Sequence, residues 1–299
     1  MSTPCKMNII LAADNLYAQQ LGVTILSILQ SSAEDEFFNF YVLTDDFSEV
    51  NKQKVEKLKQ TKNFEISYIH INKRDFENYP VWLHLKTINY YRLKIFELFD
   101  FDRALYLDCD LFVKKSLRNL YETNIDGYFC AAVEDINVMN KLTNEDRLDV
   151  LCLEKYFNAG VVLWNLKESR VFDLGNKCID FIQKYPEKIK YMEQDALNYF
   201  CKGKVLYIDD IHNLQMSTSM HLCKKIWNKN KKSTIIIHFA SPNKPWTHQL
   251  TTFKIQYYVY VLQTPWKYGV IFDCIRNNIQ RAKKCIKIST RLVFGGFKI

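Results

Sequence analysis

Apolar positions in the first part of the chain alternate between short continuous blocks and longer stretches of helical spacing. The predicted strands are the short apolar blocks at 8–13, 37–43 and 64–71. The predicted helices have apolar residues at three- and four-residue steps, over 17–30 and over 48–60. This β-α-β-α-β order is typical of a parallel sheet that carries helices on its faces.

The same alternation continues along the rest of the chain, without an internal repeat or a low-complexity linker. Later strands are predicted at 104–107, 129–133, 161–165, 205–208 and 234–239. Helices are predicted at 85–99, around 172–184, and from Glu193 onward. Several polar residues directly follow these strands, at the sheet edge where open α/β folds bind their ligands.

Composition narrows the class of protein only a little. The 299 residues are 48% hydrophobic and 25% charged, which is typical of a globular chain and excludes a disordered one. The nine cysteines are scattered, which indicates free thiols in a reducing compartment and argues against a cysteine-ligated zinc site. Neither a signal peptide nor an apolar run of about 18 residues occurs, so a cytoplasmic location is expected.

The formal charge of +8 is concentrated near the C-terminus. No acidic residue follows Asp273, and apolar residues recur there at three- and four-residue steps. The basic residues of this segment are Arg276, Arg281, Lys283, Lys284, Lys287, Arg291 and Lys298. The pattern predicts a basic amphipathic helix that binds anionic lipid, the alternative being a solvated helix packed on the main domain. We therefore predict a catalytic domain at 1–249 and a basic, membrane-associating helical segment at 250–299.

Two carboxylates interrupt an apolar stretch in the middle of the chain. Asp108 and Asp110 stand one residue apart, between Leu107 and Leu111. Burying such a pair is unfavourable unless a positive group compensates. Their hard oxygen atoms suit Mg²⁺ or Mn²⁺, which often share their coordination with substrate phosphates. By itself the motif is equally compatible with a turn whose aspartates cap a helix or face water.

His238 ends a late apolar block and precedes a proline-bounded loop that contains Lys244. A histidine in this position is more often a core residue whose ring nitrogens are satisfied. The neighbouring lysine favours a second interpretation, in which the imidazole binds a metal and the ammonium binds a phosphate.

Five short motifs, in this order, resemble those of glycosyltransferase family 8. This family includes bacterial lipopolysaccharide galactosyl- and glucosyltransferases and glycogenin. The motifs lie at 9–14, 106–110, 156–161, 193–198 and 238–246, and they span about residues 8 to 246. Each is weak alone, and the ordered set is specific.

The resemblance implies a GT-A fold, in which a Rossmann-like mixed sheet is flanked by helices. It implies retaining transfer of galactose or glucose from a UDP-sugar to a lipopolysaccharide, a lipooligosaccharide or another surface glycan. The expected ion is Mn²⁺, with Mg²⁺ as the alternative. The implied metal ligands are Asp108, Asp110 and His238, and the implied catalytic residues are Gln194, Asp108 and Asp110. The implied UDP-sugar contacts are Ala12, Asp14, Arg92, Asp108, Asn158, Glu193, Gln194, His238 and Lys244. His84 and Asp135 would border the acceptor.

Several of these residues also have simpler structural interpretations. Asn158 could lie in a turn between a helix and a strand. Glu193 could be an ordinary acidic residue at a helix start, and Arg92 could pair with Glu97 on a helix surface. The family usually has aspartate in place of Glu193 and glycine in place of Ser241, so the sequence leaves the donor hexose open.

The expected partners are a UDP-hexose, a lipid-linked saccharide acceptor and an anionic membrane surface. The enzyme would then be peripheral on the inner face of the cytoplasmic membrane. One alternative is a glycoside hydrolase that uses Glu134 and Glu193. Another is a non-catalytic protein whose tail binds polyanions or membranes. Nucleic acid is not an expected partner, because the main domain is nearly neutral and lacks a nucleic-acid motif.

Overall fold

The structure is a computed structural model that describes residues 5–80, 87–140, 146–216, 227–228, 232–242, 244–246 and 253–269. His84, the predicted boundary at 249–250 and the basic residues after Asp273 lie outside the described residues. What was predicted for them therefore remains a prediction.

The described strands form two sheets. The strands are β1 Cys5–Ala12, β2 Glu36–Thr44, β3 Glu65–His70, β4 Arg103–Leu107, β5 Leu111–Val113, β6 Cys130–Glu134, β7 Phe157–Asn165, β8 Val205–Tyr207, β9 Leu214–Gln215 and β10 Ile236–His238. The large sheet has the order β3-β2-β1-β4-β7-β6-β8, and a small sheet has the order β5-β10-β9. Within the large sheet β7 runs antiparallel to both neighbours, and the other pairs are parallel. The predicted mixed sheet is confirmed.

Helices fill the connections between the strands. The α-helices are α1 Ala18–Ser31, α2 Glu49–Glu56, α3 Ile95–Leu98, α4 Arg118–Tyr121, α5 Ile136–Met139, α6 Arg147–Leu151, α7 Leu166–Val171, α8 Leu174–Lys184, α9 Glu193–Phe200 and α10 Lys254–Val261. The 3-10 helices are Asn15–Tyr17, Lys57–Gln60, Lys73–Phe76, Thr87–Lys94, Pro186–Lys188 and Asp210–His212. No described helix is long and apolar enough to cross a bilayer.

Alternate residues of the central strands divide the core between the two faces of the large sheet. Ile10 and Tyr106 pack on the face covered by α8 and α9. Ile9 and Leu105 pack on the opposite face, which α1 covers. Successive side chains of a strand point to opposite faces, so this arrangement follows directly from the apolar runs in β1 and β4. These two strands are parallel neighbours, and their carboxyl ends therefore meet at one edge of the sheet.

The helical segment predicted over 85–99 is confirmed from Thr87 to Leu98, although it is a 3-10 helix at Thr87–Lys94 and an α-helix only in the short α3. Consecutive residues from Tyr90 to Leu93 are all buried, so this segment does not have the exposed face of an amphipathic helix. Arg92 Nε also donates to the Asn89 carbonyl at 3.2 Å and competes for a group that an α-helix would bond internally.

The helix predicted around 172–184 is confirmed as α8, which begins at Leu174 after Asp173, whose φ is +59°. Asn158 lies inside β7, so the interpretation of its segment as a turn is wrong. The short strands β5 and β9 were not predicted as strands, since two or three residues carry too little periodicity to detect.

Residues 253–269 pack on the helix α1. Tyr257 and Val261 of α10 are buried against Val23 of α1. Trp266 lies so close to Gly22 that a Cβ there would come within 2.3 Å of the indole ring. Residues 253–269 therefore contact α1, and the predicted division at 249 remains untested.

Candidate active site

The Asp108-Cys109-Asp110 turn connects the large sheet to the small one, between β4 and β5. Thr24 of α1, fully buried, donates its hydroxyl toward the Cys109 and Leu111 carbonyls, at 3.1 and 3.0 Å. On the other side, the Asp108 N–H donates to the Gly160 carbonyl at 2.8 Å. The backbone is thus anchored from two directions, and both carboxylates project from a fixed turn.

The small sheet brings His238 to this turn. In β10, His238 lies opposite Leu111 of β5 and Gln215 of β9. His238 Nε2 is 3.1 Å from Asp110 Oδ1 and 3.7 Å from Asp108 Oδ2. One ligand atom from each of the three residues lies within 4.8 Å of the others. The structure therefore brings together the three predicted metal ligands.

These residues fit a divalent cation in chemistry and in space. Carboxylate oxygens suit hard ions such as Mn²⁺ and Mg²⁺, and an imidazole nitrogen is a common ligand of divalent transition metals. Gly160 borders the cluster, and a Cβ at this position would lie 2.4 Å from His238 Cε1 and 2.5 Å from Asp108 Oδ2. The cluster therefore occupies a space that any other residue at 160 would partly fill.

Lys244 places a second positive group at the same point. Its ammonium contacts Asp110 Oδ2 and the Phe239 carbonyl, and the side chain is largely buried. Burial alone would raise the pKa of Asp110, but Lys244 and His238 hold this pKa below its usual range. An ammonium beside a metal cluster is suited to binding a diphosphate that the metal also binds.

Arg92 is buried behind the carboxylates instead of pairing with Glu97. Its guanidinium donates to Asp108 Oδ1 at 2.8 Å and to the Ala159 carbonyl at 2.6 Å. It also lies 4.5 Å from the centre of the Tyr106 ring. Burial opposes the charge of Arg92, but the nearby Asp108 carboxylate raises the pKa of the guanidinium. Arg92 is therefore a fixed cation that orients Asp108.

Glu193 lies on the other side of the same guanidinium. Its Oε1 is 3.1 Å from Arg92 Nε, whereas its buried Oε2 has no hydrogen-bond partner among the described residues. Burial raises the pKa of Glu193 to about 7, although Arg92 acts in the opposite direction. A buried carboxylate oxygen without a partner is unusual, and a sugar hydroxyl could satisfy it.

The half-buried Gln194 and the buried Asn158 and Asp135 form a hydrogen-bonded group next to Gly160. Gln194 Oε1 accepts the Ala159 N–H at 2.8 Å, and Gln194 Nε2 is 3.4 Å from Asp135 Oδ2. Asn158 donates to the same carboxylate oxygen at 2.9 Å. Asp135 Oδ1 accepts two N–H groups that begin α5. Protein donors thus contact both oxygens of Asp135, and its role beside the acceptor stays a prediction.

Ala12 and Asp14 lie at the end of β1, next to the metal cluster. The Cys109 thiol donates to the Ala12 carbonyl at 3.3 Å, and burial raises the pKa of this thiol well above its ordinary value. Asp14 accepts the Tyr17 N–H at 2.9 Å and so begins the 3-10 helix Asn15–Tyr17. This edge of the sheet has the polar groups and the position expected of a nucleotide-binding site.

Residues 8–249 match the family model of glycosyl transferase family 8. The chain belongs to glycosyltransferase family 8. The lipopolysaccharide 1,2-glucosyltransferase of Escherichia coli K12 is 28% identical over 268 residues, which cover 87% of this chain and 79% of that protein. The lipopolysaccharide 1,3-galactosyltransferase of Salmonella typhimurium is 27% identical over 282 residues, which cover 91% and 83%.

A solved structure shows the same fold in this family. The galactosyltransferase LgtC, crystallised with donor and acceptor sugar analogues, superposes with a TM-score of 0.74 at 28% identity. The superposition covers 87% of this chain and 96% of LgtC. The family 8 chain therefore has the GT-A fold, and its activity is that of a glycosyltransferase.

Sequence reasoning missed three residues that shape the site of this family 8 glycosyltransferase. Tyr106 donates its hydroxyl to Asp108 Oδ1 at 3.2 Å, and Asn213 contacts His238 Nδ1. Gly160 leaves room for His238 and Asp108, two of the predicted metal ligands. A glycine inside an apolar strand is a signal of close approach and could have been noticed. An isolated asparagine such as Asn213 carries no such signal in a single sequence.

Replacing Gly160 by alanine should weaken Mn²⁺ binding by at least about tenfold, because the new methyl group must displace His238 or Asp108. The measurement is a titration of Mn²⁺ in the presence of UDP, followed by electron paramagnetic resonance. Gly269→Ala is a matched control, since nothing lies within 4 Å of the Cβ it would add. Equal affinity in the Gly160 variant and the wild type would contradict the close packing described above.

The raised pKa of Glu193 predicts a pH dependence of stability. Between the ordinary value of 4.5 and the folded value of about 7, the folded chain keeps a proton that the unfolded chain has lost. Stability should therefore fall as the pH rises through this window. Glu193→Gln should remove this part of the dependence, as urea unfolding at pH 5, 6 and 7.5 would show. A variant with the same pH slope as the wild type would contradict the prediction.

Proposed function

We propose that this family 8 glycosyltransferase transfers galactose or glucose from a UDP-sugar to a bacterial surface glycan, with Mn²⁺ as its ion. The observation that carries the proposal is the convergence of Asp108, Asp110 and His238 within 4.8 Å beside Lys244. A lipopolysaccharide or lipooligosaccharide acceptor is supported by the activities of the Escherichia coli and Salmonella typhimurium relatives. Crystals of LgtC with donor and acceptor analogues support a two-substrate site.

The described residues supply the charges that such a transfer requires. A divalent ion bound by the three ligands would stabilise negative charge on the departing diphosphate. Lys244 would bind the same diphosphate, since its ammonium already reaches Asp110. Ala12 and Asp14 would contact the uridine at the end of β1. Arg92 would keep Asp108 oriented through the 2.8 Å contact.

Gln194, Glu193 and Asn158 would contact the donor sugar. Gln194 is a poor nucleophile, and its carbonyl oxygen already accepts the Ala159 N–H. We therefore favour attack from the same face that the diphosphate leaves. In that scheme the acceptor hydroxyl forms the new bond to the anomeric carbon as the bond to phosphate breaks. Its proton passes to the departing phosphate oxygen, and the anomeric configuration is retained.

Hydrolysis by Glu134 and Glu193 is less well supported than transfer. Glu134 lies 2.7 Å from Lys155, and Glu193 lies 3.1 Å from Arg92, so each carboxylate has a basic partner of its own. Membership of a glycosyltransferase family also favours transfer. We expect no sugar release from simple glycosides when nucleotide is absent.

A donor screen tests the proposal. Purified enzyme is incubated with UDP-glucose, UDP-galactose and their N-acetyl forms, with Mn²⁺, with Mg²⁺ or with a chelator, and UDP release is measured. We expect release with an unmodified hexose and Mn²⁺, and little release with the chelator. The anomeric proton coupling of a product formed on a lipooligosaccharide acceptor would show retention. Equal release with and without the chelator would overturn the proposed role of the metal.

We further propose that the basic segment after Asp273 holds the enzyme on the inner face of the cytoplasmic membrane. Its seven basic residues would each contribute about 1 kcal/mol near an anionic surface. Sedimentation with vesicles of anionic lipid should fall at least about tenfold for a chain truncated after Cys274, and measurably for Lys283→Glu/Lys284→Glu. Vesicles of neutral lipid are the control. Unchanged sedimentation of both variants would reject this location.

A further inference from the structure

We infer that Asn213 selects the tautomer of His238 that binds the metal, and so acts as a positioning residue behind this ligand. Asn213 follows the 3-10 helix Asp210–His212 and directly precedes β9. Only 1% of Asn213 is exposed, and its Oδ1 lies 3.0 Å from His238 Nδ1. The inference rests on the proposed function, because that function assigns the metal to His238.

The orientation of the Asn213 amide is fixed by partners other than His238. The oxygen and nitrogen of an amide are told apart by what each must bond to. Asn213 Nδ2 donates to Asn158 Oδ1 at 3.0 Å, and the same oxygen accepts the Gly160 N–H at 3.1 Å. The backbone N–H can only donate, so the Asn158 atom beside it must be the oxygen.

The other end of this series of hydrogen bonds, at Asp135, independently requires the same orientation of the Asn213 amide. Asn158 Nδ2 donates to Asp135 Oδ2 at 2.9 Å. A carboxylate can only accept, so Asn158 must turn its nitrogen toward Asp135 and its oxygen toward Asn213. Each residue of this series is at least nine-tenths buried, which leaves little access for water to replace a partner. Both ends therefore require Asn213 to present its oxygen to His238.

His238 must then carry its proton on Nδ1, because the Asn213 oxygen can only accept. In a neutral imidazole the other nitrogen has a lone pair. That nitrogen is Nε2, which faces Asp110 at 3.1 Å and Asp108 at 3.7 Å. A metal ligand needs its lone pair at this position, and the hydrogen bond made by the other ring nitrogen decides which tautomer is present.

The opposite tautomer would place a hydrogen atom where the ion is expected. Without the Asn213 oxygen, no acceptor among the described residues is recorded for the Nδ1 proton, whereas a proton on Nε2 could donate to Asp110. The lone pair would then point away from the metal cluster. Gly160 packs close to His238 Cε1, so the ring has little room to turn and compensate.

Two substitutions at Asn213 test whether the acceptor oxygen, and not the rest of the side chain, is responsible for the effect on metal binding. Asn213→Leu removes the acceptor, and we expect it to weaken Mn²⁺ binding with UDP present by about 10- to 100-fold. Asn213→Asp keeps an acceptor for the Nδ1 proton, and we expect its affinity to stay within about fivefold of wild type. Electron paramagnetic resonance of MnCl₂ reports free and bound ion directly and does not depend on turnover.

A second measurement observes the tautomer itself. Long-range proton–nitrogen spectra of the metal-free protein, labelled with ¹⁵N-histidine, distinguish a proton on Nδ1 from one on Nε2. His238 is assigned among the six histidines by the signal that disappears in His238→Gln. We expect a proton on Nδ1 in the wild type, whether or not Nε2 beside Asp110 is also protonated without metal, and a shift to a proton on Nε2 alone in Asn213→Leu. A wild-type His238 with a proton on Nε2 and none on Nδ1 would overturn the inference, even if the leucine variant does not fold.

Asn198→Leu is a matched control for the loss of a buried amide. Asn198 is 3% exposed and bonds the backbone of Phe157 and Gln194, without contact to His238. We expect this variant to lose thermal stability and to keep both the Mn²⁺ affinity and the His238 tautomer. An equal loss of affinity in Asn198→Leu and Asn213→Leu would show that the effect is general destabilisation, and would overturn the inference.

The outcomes for Asn213 and for the proposed function are distinguishable. If wild-type enzyme binds no Mn²⁺ in the presence of UDP, the metal role of His238 fails. If the wild type binds Mn²⁺ and the folded Asn213→Leu variant binds it equally, with an unchanged tautomer, only the inference about Asn213 fails.

Discussion

Asp110→Asn should lower kcat for UDP-sugar turnover by at least about a thousandfold. Asp110 contacts both His238 and Lys244, which are the proposed metal ligand and the proposed cation for the departing diphosphate. Removing the charge of Asp110 would weaken binding of the proposed ion. An ion at this position would stabilise the transition state by several kcal/mol. Each 1.36 kcal/mol corresponds to about a tenfold change in rate. The asparagine has almost the same shape, so the fold should be kept.

The measurement is UDP release at saturating UDP-sugar over a range of Mn²⁺ concentrations. Asp102→Asn is a suitable control, because Asp102 precedes β4, is mostly exposed and lies 3.9 Å from its nearest basic partner, Arg170. It should keep wild-type turnover. Turnover by Asp110→Asn equal to that of the wild type at saturating Mn²⁺ would show that Asp110 does not hold an ion needed for transfer.

Asp195→Ala should lower the free energy of unfolding by about 3–5 kcal/mol, because it leaves a buried arginine without its carboxylate. Asp195 and Arg147 are almost fully buried, and two of their oxygen–nitrogen pairs lie at 2.9 and 3.3 Å. Asp195 also accepts the Tyr156 hydroxyl at 2.7 Å and the backbone N–H groups of Lys190 and Tyr191 at 2.6 and 2.7 Å. The conformation of the segment before α9 therefore depends on the Asp195 carboxylate.

Urea unfolding followed by circular dichroism measures this change. Glu49→Ala is the matched control, since Glu49 pairs with Lys52 at 2.6 Å but is 78% exposed. An exposed pair of this kind contributes at most about 1 kcal/mol. If the two variants lost equal stability, burial would not be the reason for the effect at Asp195.

The sequence was sufficient to predict those strands and helices in which hydrophobic residues recur at regular spacing. The strands β1 to β3 and the helix α1 each extend over several residues with clear alternation or helical spacing, and their predicted limits agree with the structure to within a few residues. Ordered motifs identified the family and predicted three metal ligands that the structure brings together. The geometry around them could not be predicted, because it depends on residues that are distant along the chain.

Arg92 and Asn213 illustrate this limit. A single sequence shows Arg92 on a segment that resembles an amphipathic helix, yet packing turns the residue inward to Asp108 and Ala159. Asn213 stands in a short polar stretch that is typical of a turn. Its importance appears only when β9 is placed beside β10, a pairing of two residues on each strand. Tertiary contacts, and not local preference, determine both side chains.

The small sheet has one further consequence, which concerns the proposed metal dependence of the enzyme. Asp110 and His238 are separated by 128 positions and meet only where β5 pairs with β10. An unfolded or partly synthesised chain lacks this arrangement, so an ion bound there favours the native chain alone. At a free ion concentration one hundred times the dissociation constant, such binding adds about 2.7 kcal/mol to the free energy of unfolding. Manganese starvation would then reduce the amount of folded enzyme as well as its turnover.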